Sequence, residues 1–182
     1  MGMAATTFHT ADMVRALPDD GNRYETVHGE LLVTPAPRLL HQEIVGRAYE
    51  ALRIYLRRQP VGHAFISPAD ISWSPDTLVQ PDVFVADLRE ARTMDWVNVK
   101  RLLLAVEVLS PSSTRADRFT KRRLYQEVGI PTYWVVNPDR CEVEVWTPES
   151  VFPATERERV IWKPEGAADE FVLELGELFR PI

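Results

Sequence analysis

The sequence predicts an α/β fold, a mixed β-sheet flanked by α-helices, and three observations carry that expectation. Apolar residues recur at helical spacing both before and after a series of short strand-like runs. One of those runs, Leu102 to Leu109, is apolar except for Glu107, the profile of a central strand covered on both faces. Strands bracketed by helices in this way are expected to stack as a sheet with helical cover. The 182 residues suffice for a single domain, 1–182, whose core needs neither a disulfide nor a structural metal. No internal repeat or low-complexity segment divides it, and the 14 prolines are scattered as punctuation.

The elements follow in order. A short helix is expected around Ala11 to Leu17, ended by the turn Pro18-Asp19-Asp20-Gly21-Asn22. Tyr24 to Val27 and Leu31 to Val33 flank His28-Gly29-Glu30 as a hairpin. From His41 to Arg58 a long amphipathic helix sets Ile44, Val45, Ala48, Leu52, Tyr55 and Leu56 on one face. Ala64 to Trp73 and Leu78 to Ala86 read as one antiparallel hairpin closed by Ser74-Pro75-Asp76-Thr77. After the strand Leu102 to Leu109, a helix spans Thr114 to Val128 and stops at Gly129. A hairpin of Thr132 to Val136 and Glu142 to Trp146 follows, and weaker strands lie at Arg159 to Trp162 and Phe171 to Leu175.

Composition narrows the setting. An apolar fraction of 45% and a charged fraction of 26% are ordinary for a soluble protein. No apolar run approaches the roughly 20 residues of a membrane-spanning helix, so no membrane partner is expected. Met1 to Thr10 lacks a basic region followed by a long apolar run, and Cys141 is alone, which excludes an intrachain disulfide and a Cys-ligated zinc site. Both facts lead us to expect a cytoplasmic location. The net charge of −6 argues against a basic surface overall, so a nucleic-acid contact must be local. Arg115, Arg118, Lys121, Arg122 and Arg123 form the densest basic cluster, readable as a phosphate-binding patch or as a solvated helix face.

Glu107 is the most informative single residue, because a carboxylate inside Leu-Leu-Leu-Ala-Val-Glu-Val-Leu costs several kcal/mol unless it is paired or metal-bound. Asp82 follows Pro81 at the head of the apolar run Val83-Phe84-Val85-Ala86, the one Pro-Asp pair that opens a strand. If the two strands are adjacent, the carboxylates share a site, and a hard divalent cation would relieve their repulsion. In the following helix Asp117, Lys121, Leu124 and Val128 fall on one stripe, which aims Lys121 at the sheet. Asp117 has two further readings, a capping box with Thr114 and an ordinary ion pair with Lys121.

At Gln80-Pro81-Asp82-Val83, Glu107-Val108-Leu109-Ser110-Pro111-Ser112, then Asp117, Lys121, Tyr125, Gly129 and Tyr133-Trp134-Val135-Val136, the sequence resembles the Uma-two-like family of restriction-endonuclease-like proteins. That family belongs to the PD-(D/E)XK superfamily, and the similarity reaches back through Tyr24 to Leu31 and Pro35 to His41-Gln42. The resemblance implies a restriction-endonuclease-like core, with Asp82 as the motif aspartate and Glu107 as the acid of the next strand. The pattern's lysine position holds Leu109, and Lys121 is the matching residue for a lysine moved to the neighbouring helix. For the upstream acid Glu30, Glu43 and Asp70 are candidates, and His41 and Gln42 are candidates to reach the site.

The function expected is Mg²⁺- or Mn²⁺-dependent hydrolysis of nucleic-acid phosphodiesters, DNA above all. Asp82, Glu107 and a main-chain carbonyl near Val108 hold the metal, Lys121 assists, and Arg115, Arg118 and Arg122 contact the nucleic acid. Leu109 and the acidic net charge keep open a catalytically inactive interaction module, and hydrolysis of another phosphate ester is a third reading. Analogy with nucleases that cut two strands with two subunits implies a homodimer.

Overall fold

The computed structural model describes residues 7–182; Met1–Thr6, which open both the stretch read for export signals and the 1–182 unit, lie outside them. The first helix, α1 (Ala11–Arg15), starts at Thr10, whose hydroxyl accepts the Met13 amide at 3.2 Å as an N-cap. Strands β1 (Arg23–Val27) and β2 (Glu30–Thr34) form the expected hairpin. Its turn residues, His28 and Gly29, take φ of 49° and 80°, the two positive values that a two-residue type I′ turn requires. The long helix α2 (Leu39–Arg58) buries the six apolar positions expected of it.

The next segment departs from expectation. In place of one continuous hairpin there are four strands, β3 (Gly62–Ile66), β4 (Ile71–Ser74), β5 (Thr77–Val79) and β6 (Val83–Asp87). β3 pairs with β6 and β4 with β5, in two different sheets. Both arms break at a proline, Pro68 on one and Pro81 on the other, and neither has an amide hydrogen to give a ladder. The Ser67 hydroxyl donates to the carbonyls of Gln80 (2.9 Å) and Pro81 (2.6 Å), and the Ser67 amide donates to the Asp82 carbonyl (3.2 Å). Asp82 therefore emerges at a pinned corner between two sheets.

A short helix α3 (Leu88–Ala91) and a 3₁₀ turn (Trp96–Asn98) lead into β7 (Leu102–Val108), every residue of which is buried. The helix expected over Thr114 to Val128 is present, but it widens to a π turn over Ala116–Lys121 before continuing as α4 (Arg122–Glu127). Asp117, Lys121 and Leu124 share the buried face with Tyr125, and Val128, half-buried, packs against the same core. The chain returns as β8 (Tyr133–Asn137), β9 (Glu142–Trp146), β10 (Ala154–Glu156), β11 (Arg159–Trp162), β12 (Phe171–Glu174) and a last helix α5 (Leu175–Leu178).

The main sheet has the order β10-β9-β8-β7-β6-β3, with β7 and β8 parallel and the other pairs antiparallel. The parallel pair is what the helix between β7 and β8 makes necessary, since parallel neighbours need a crossover. A second sheet, β2-β1-β5-β4, and the β11-β12 hairpin complete the strands. Side chains alternate across the main sheet. Val106, Val108, Trp134, Val83 and Val85 face α2 and the β11-β12 hairpin, while Ala105, Tyr133, Val135, Phe84 and Ala86 face α4 and the small sheet. Glu107 lies between Val106 and Val108, so it points to the α4 side.

Candidate active site

The alternation that sends Glu107 toward α4 delivers it to a chain of buried charges. The Lys121 ammonium lies 3.0 Å from Glu107 Oε1, 2.8 Å from Glu25 Oε2 and 3.5 Å from Asp117 Oδ1. Glu25 Oε2 also faces Arg23 Nε at 3.7 Å, and the Arg23 guanidinium donates to Asp82 Oδ1 at 2.7 Å. Charges thus alternate from Asp82 through Arg23, Glu25 and Lys121 to Glu107, with Asp117 beside Lys121. Each element contributes by simple geometry. Glu25 shares a strand face with Val27, two residues on, and Lys121 leaves the π turn on the same stripe as Leu124.

The remaining polar contacts fix the ends. Asp82 Oδ2 accepts the Val108 amide at 2.8 Å and lies 3.1 Å from His41 Nε2, on the first turn of α2. Glu107 Oε1 also accepts the Tyr125 hydroxyl at 3.0 Å, whereas Glu107 Oε2 is buried without a hydrogen-bond partner among the described residues. The Gln80 amide donates to Glu25 Oε1 at 2.7 Å, and the Tyr133 hydroxyl to the Asp117 carbonyl at 2.9 Å. Leu109 packs in the apolar layer on the α4 side, and among the described residues the amine in this site comes from the helix, as Lys121.

Electrostatics separate these carboxyls. Burial opposes ionisation of Asp82, but the His41 hydrogen bond and the Arg23, His41 and Lys121 charges outweigh it and hold the group below the usual carboxylate range. Burial pushes Glu107 well above its ordinary value; Lys121 opposes this, and the carboxylates of Asp117, Asp82 and Glu25 add to it. Asp117 is raised to about 6, chiefly by burial, against the pull of Lys121. Burial works against a charged Lys121, yet Glu107, Glu25 and Asp117 more than compensate and hold it protonated.

Asp82 and Arg23 form the floor of a cleft of about 700 Å³. Its walls are the start of α2 at Arg38 and His41, the corner at Ser67-Pro68, and the Ser110–Ser113 turn that follows β7. Glu107, Glu25, Lys121 and Asp117 lie beneath that floor, each no more than 1% exposed.

Of the residues singled out in the sequence, the fold brings together Asp82, Glu107, Lys121, Asp117 and His41, and Val108 through its amide. The capping box does not form, because the Thr114 hydroxyl donates to the Ser110 carbonyl and Asp117 turns into the core. Glu30 is exposed beside the hairpin turn, Glu43 pairs with Arg47 at 2.8 Å, and Asp70 pairs with Arg15 at 3.1 Å on the cleft wall. Gln42 lines the cleft. In the basic cluster Arg115 is exposed, Arg118 pairs with Glu144 at 2.6 Å, and Arg122 stacks on Trp146 at 4.8 Å. Two of those three cations are therefore engaged by β9. Glu25, Arg23 and Tyr125 were not among the expected site residues. For Glu25 the signal was its place two residues from Val27 on a strand whose apolar face turns inward.

The carboxylates can be tested as a cradle for a divalent metal ion. Among the described residues, no three His, Cys, Asp or Glu side chains converge as a ready-made metal cage. The donors nevertheless fit a hard divalent cation. With every acid deprotonated, Glu25, Asp82, Glu107 and Asp117 supply four negative charges against the two cations Arg23 and Lys121, leaving two for a divalent ion with His41 set aside. Glu107 Oε2 is a buried acceptor without a hydrogen-bond partner among the described residues, Lys121 being held at the other oxygen.

The structure superposes on the crystal structure of a "putative nuclease belonging to DUF820" from Anabaena variabilis ATCC 29413 with a TM-score of 0.76, at 21% identity, over 94% of this chain and 97% of that one. The fold is that nuclease fold, a restriction-endonuclease-like α/β core. A family model described as "Uma2: Putative restriction endonuclease" matches residues 11–175, and this chain belongs to that family. Comparison with curated proteins found no match. No described helix is long and apolar enough to cross a membrane.

Proposed function

We propose that the protein is a metal-dependent endonuclease that hydrolyses phosphodiester bonds of DNA on the floor of the cleft. The observation that carries this reading is the convergence of Asp82, Glu107 and Lys121 from three separate elements into one buried cluster under an open cleft. Membership in a family described as restriction endonucleases supports a DNA substrate.

Asp82 and Glu107, with the carbonyl of Val108 as a further oxygen donor, are the residues to hold Mg²⁺ or Mn²⁺. The ion, when bound, supplies a polarised phosphate and an acidified water. The chain's own groups do the rest. Asp82 is kept anionic by its donors and faces the incoming strand. Lys121 keeps its proton and places fixed positive charge beneath the reacting phosphate, where charge grows in the transition state. Glu25 and Tyr125 are positioning residues, the first holding the Lys121 amine and the second the Glu107 carboxylate. Arg38, His41 and the Ser110 and Ser112 hydroxyls line the path of the strand and suit phosphate oxygens. A homodimer, with two such clefts, suits cleavage of both strands.

The test is cleavage of labelled single-stranded, double-stranded and branched DNA with Mg²⁺ or Mn²⁺ by wild type, Glu107→Ala and Lys121→Ala. Wild type is expected to cut and both variants to fall by at least about a hundredfold. Full metal-dependent cleavage by Glu107→Ala would sink the assignment.

A further inference from the structure

Two cations are threaded through the buried carboxylates, and they are held very differently. Lys121 is sealed in the core and meets three carboxylates within 3.5 Å. The Arg23 side chain is 20% exposed and, among the described residues, pairs with Asp82 and Glu25 alone and leaves its Nε buried without a hydrogen-bond partner. Arg23 also opens β1 and borders the cleft, so its long side chain has open volume to turn into without disturbing the core. Its guanidinium stands against Asp82, the acid that a divalent ion entering from the cleft meets first. Two positive charges at one carboxylate in a low-dielectric site repel, so Arg23 and a metal ion compete for Asp82.

We propose that Arg23 is the resident counter-ion of the metal-free site: it holds the cation position at Asp82 and turns into the cleft when a divalent ion enters, there gripping a phosphate of the nucleic-acid strand. The proposal rests on the metal-dependent reading of Asp82 and Glu107 given above. A guanidinium suits both stations, because its planar fork matches a carboxylate and a phosphate alike. One side chain then links the two ligands. A phosphate in the cleft draws Arg23 from Asp82 and strengthens metal binding, and metal binding strengthens the phosphate contact by the same factor.

The experiment is calorimetric titration of Mn²⁺ into metal-free wild type, Arg23→Lys and Arg23→Met, each with and without a cleavage-resistant phosphorothioate oligonucleotide. Arg23→Met is expected to bind Mn²⁺ about tenfold more tightly than wild type, and Arg23→Lys, which keeps the charge, to stay near wild type. The oligonucleotide is expected to tighten Mn²⁺ binding by wild type severalfold and by Arg23→Met not at all. Equal or weaker Mn²⁺ affinity in Arg23→Met, or no tightening of wild type by the oligonucleotide, overturns the proposal while leaving the metal site standing. Absence of Mn²⁺ binding in every form overturns the proposal together with the metal-dependent reading.

Arg23→Met strips a counter-ion from Asp82 and Glu25, so its folding is followed by thermal unfolding with and without Mn²⁺. A larger Mn²⁺-induced rise in Tm than in wild type, or Mn²⁺-driven folding of an otherwise unfolded variant, is expected. A rise no larger than wild type's, or a variant that stays unfolded in saturating Mn²⁺, contradicts the proposal.

Discussion

Asp82 and Glu107 stand beside neighbouring strands of one sheet, yet their surroundings are opposite. Asp82 lies at the cleft floor with both oxygens engaged, by Arg23 on one side and by His41 and the Val108 amide on the other. Glu107 is sealed below it, with Lys121 and Tyr125 on one oxygen and, among the described residues, no hydrogen-bond partner on the other. The first is held below the usual carboxylate range and the second pushed well above it. A pair of acids that looks symmetrical in the sequence is therefore divided into an anion ready to meet cations from solvent and, behind it, a carboxyl that burial disposes to hold its proton.

The largest effect expected is from breaking the inner half of that arrangement. Lys121→Met leaves Glu25, Glu107 and Asp117 buried without their shared cation, and removal of one member of a buried ion pair costs about 3–5 kcal/mol. Urea or thermal denaturation in chelator is expected to show a loss of that size, with Asp82 still satisfied by Arg23, His41 and the Val108 amide.

Asp117→Asn sharpens the comparison by pH. A carboxyl held at about 6 in the folded chain, against an ordinary 3.8, binds its proton more tightly folded than unfolded. The stability it contributes is fully present below pH 3.8 and is lost as pH rises through about 6. Asp82 has the opposite sign, its contribution being present above the ordinary carboxyl range and lost only as pH falls through its depressed folded value. With metal removed, Asp117→Asn is expected to be more stable than wild type at pH 7 by up to about 3 kcal/mol, less any loss of its contact with Lys121. That advantage should shrink as the pH is lowered from 6 to 4, as read from unfolding midpoints across the range.

Tyr125→Phe is the smallest perturbation, removing one hydroxyl from Glu107 Oε1 while Lys121 stays in place. The expected loss is about 1 kcal/mol, the net worth of one hydrogen bond, in the same denaturation assay.

Much of this was legible in the sequence because it rests on periodicity. The period of 3.6 placed all six buried positions of α2, and a single acid in an unbroken apolar run marked Glu107. The stripe through Leu124 aimed Lys121 inward. What escaped was non-local. A strand pattern does not say which sheet each half of it joins, so the break at Pro68 and Pro81 read as a continuous hairpin. Glu25 reaches Lys121 across 96 positions of chain, a contact set by the stacking of one sheet beside another. The basic residues of the helix were visible, but the partners on β9 that engage Arg118 and Arg122 were not.

The central claim is that Asp82 and Glu107, despite their different surroundings, serve one metal site. The most direct measurement is Mn²⁺ affinity by calorimetry for wild type, Asp82→Asn and Glu107→Gln, with folding of each checked by circular dichroism. We predict one site in wild type and a loss of at least about tenfold in both variants. Wild-type affinity retained in either folded variant would contradict a shared site.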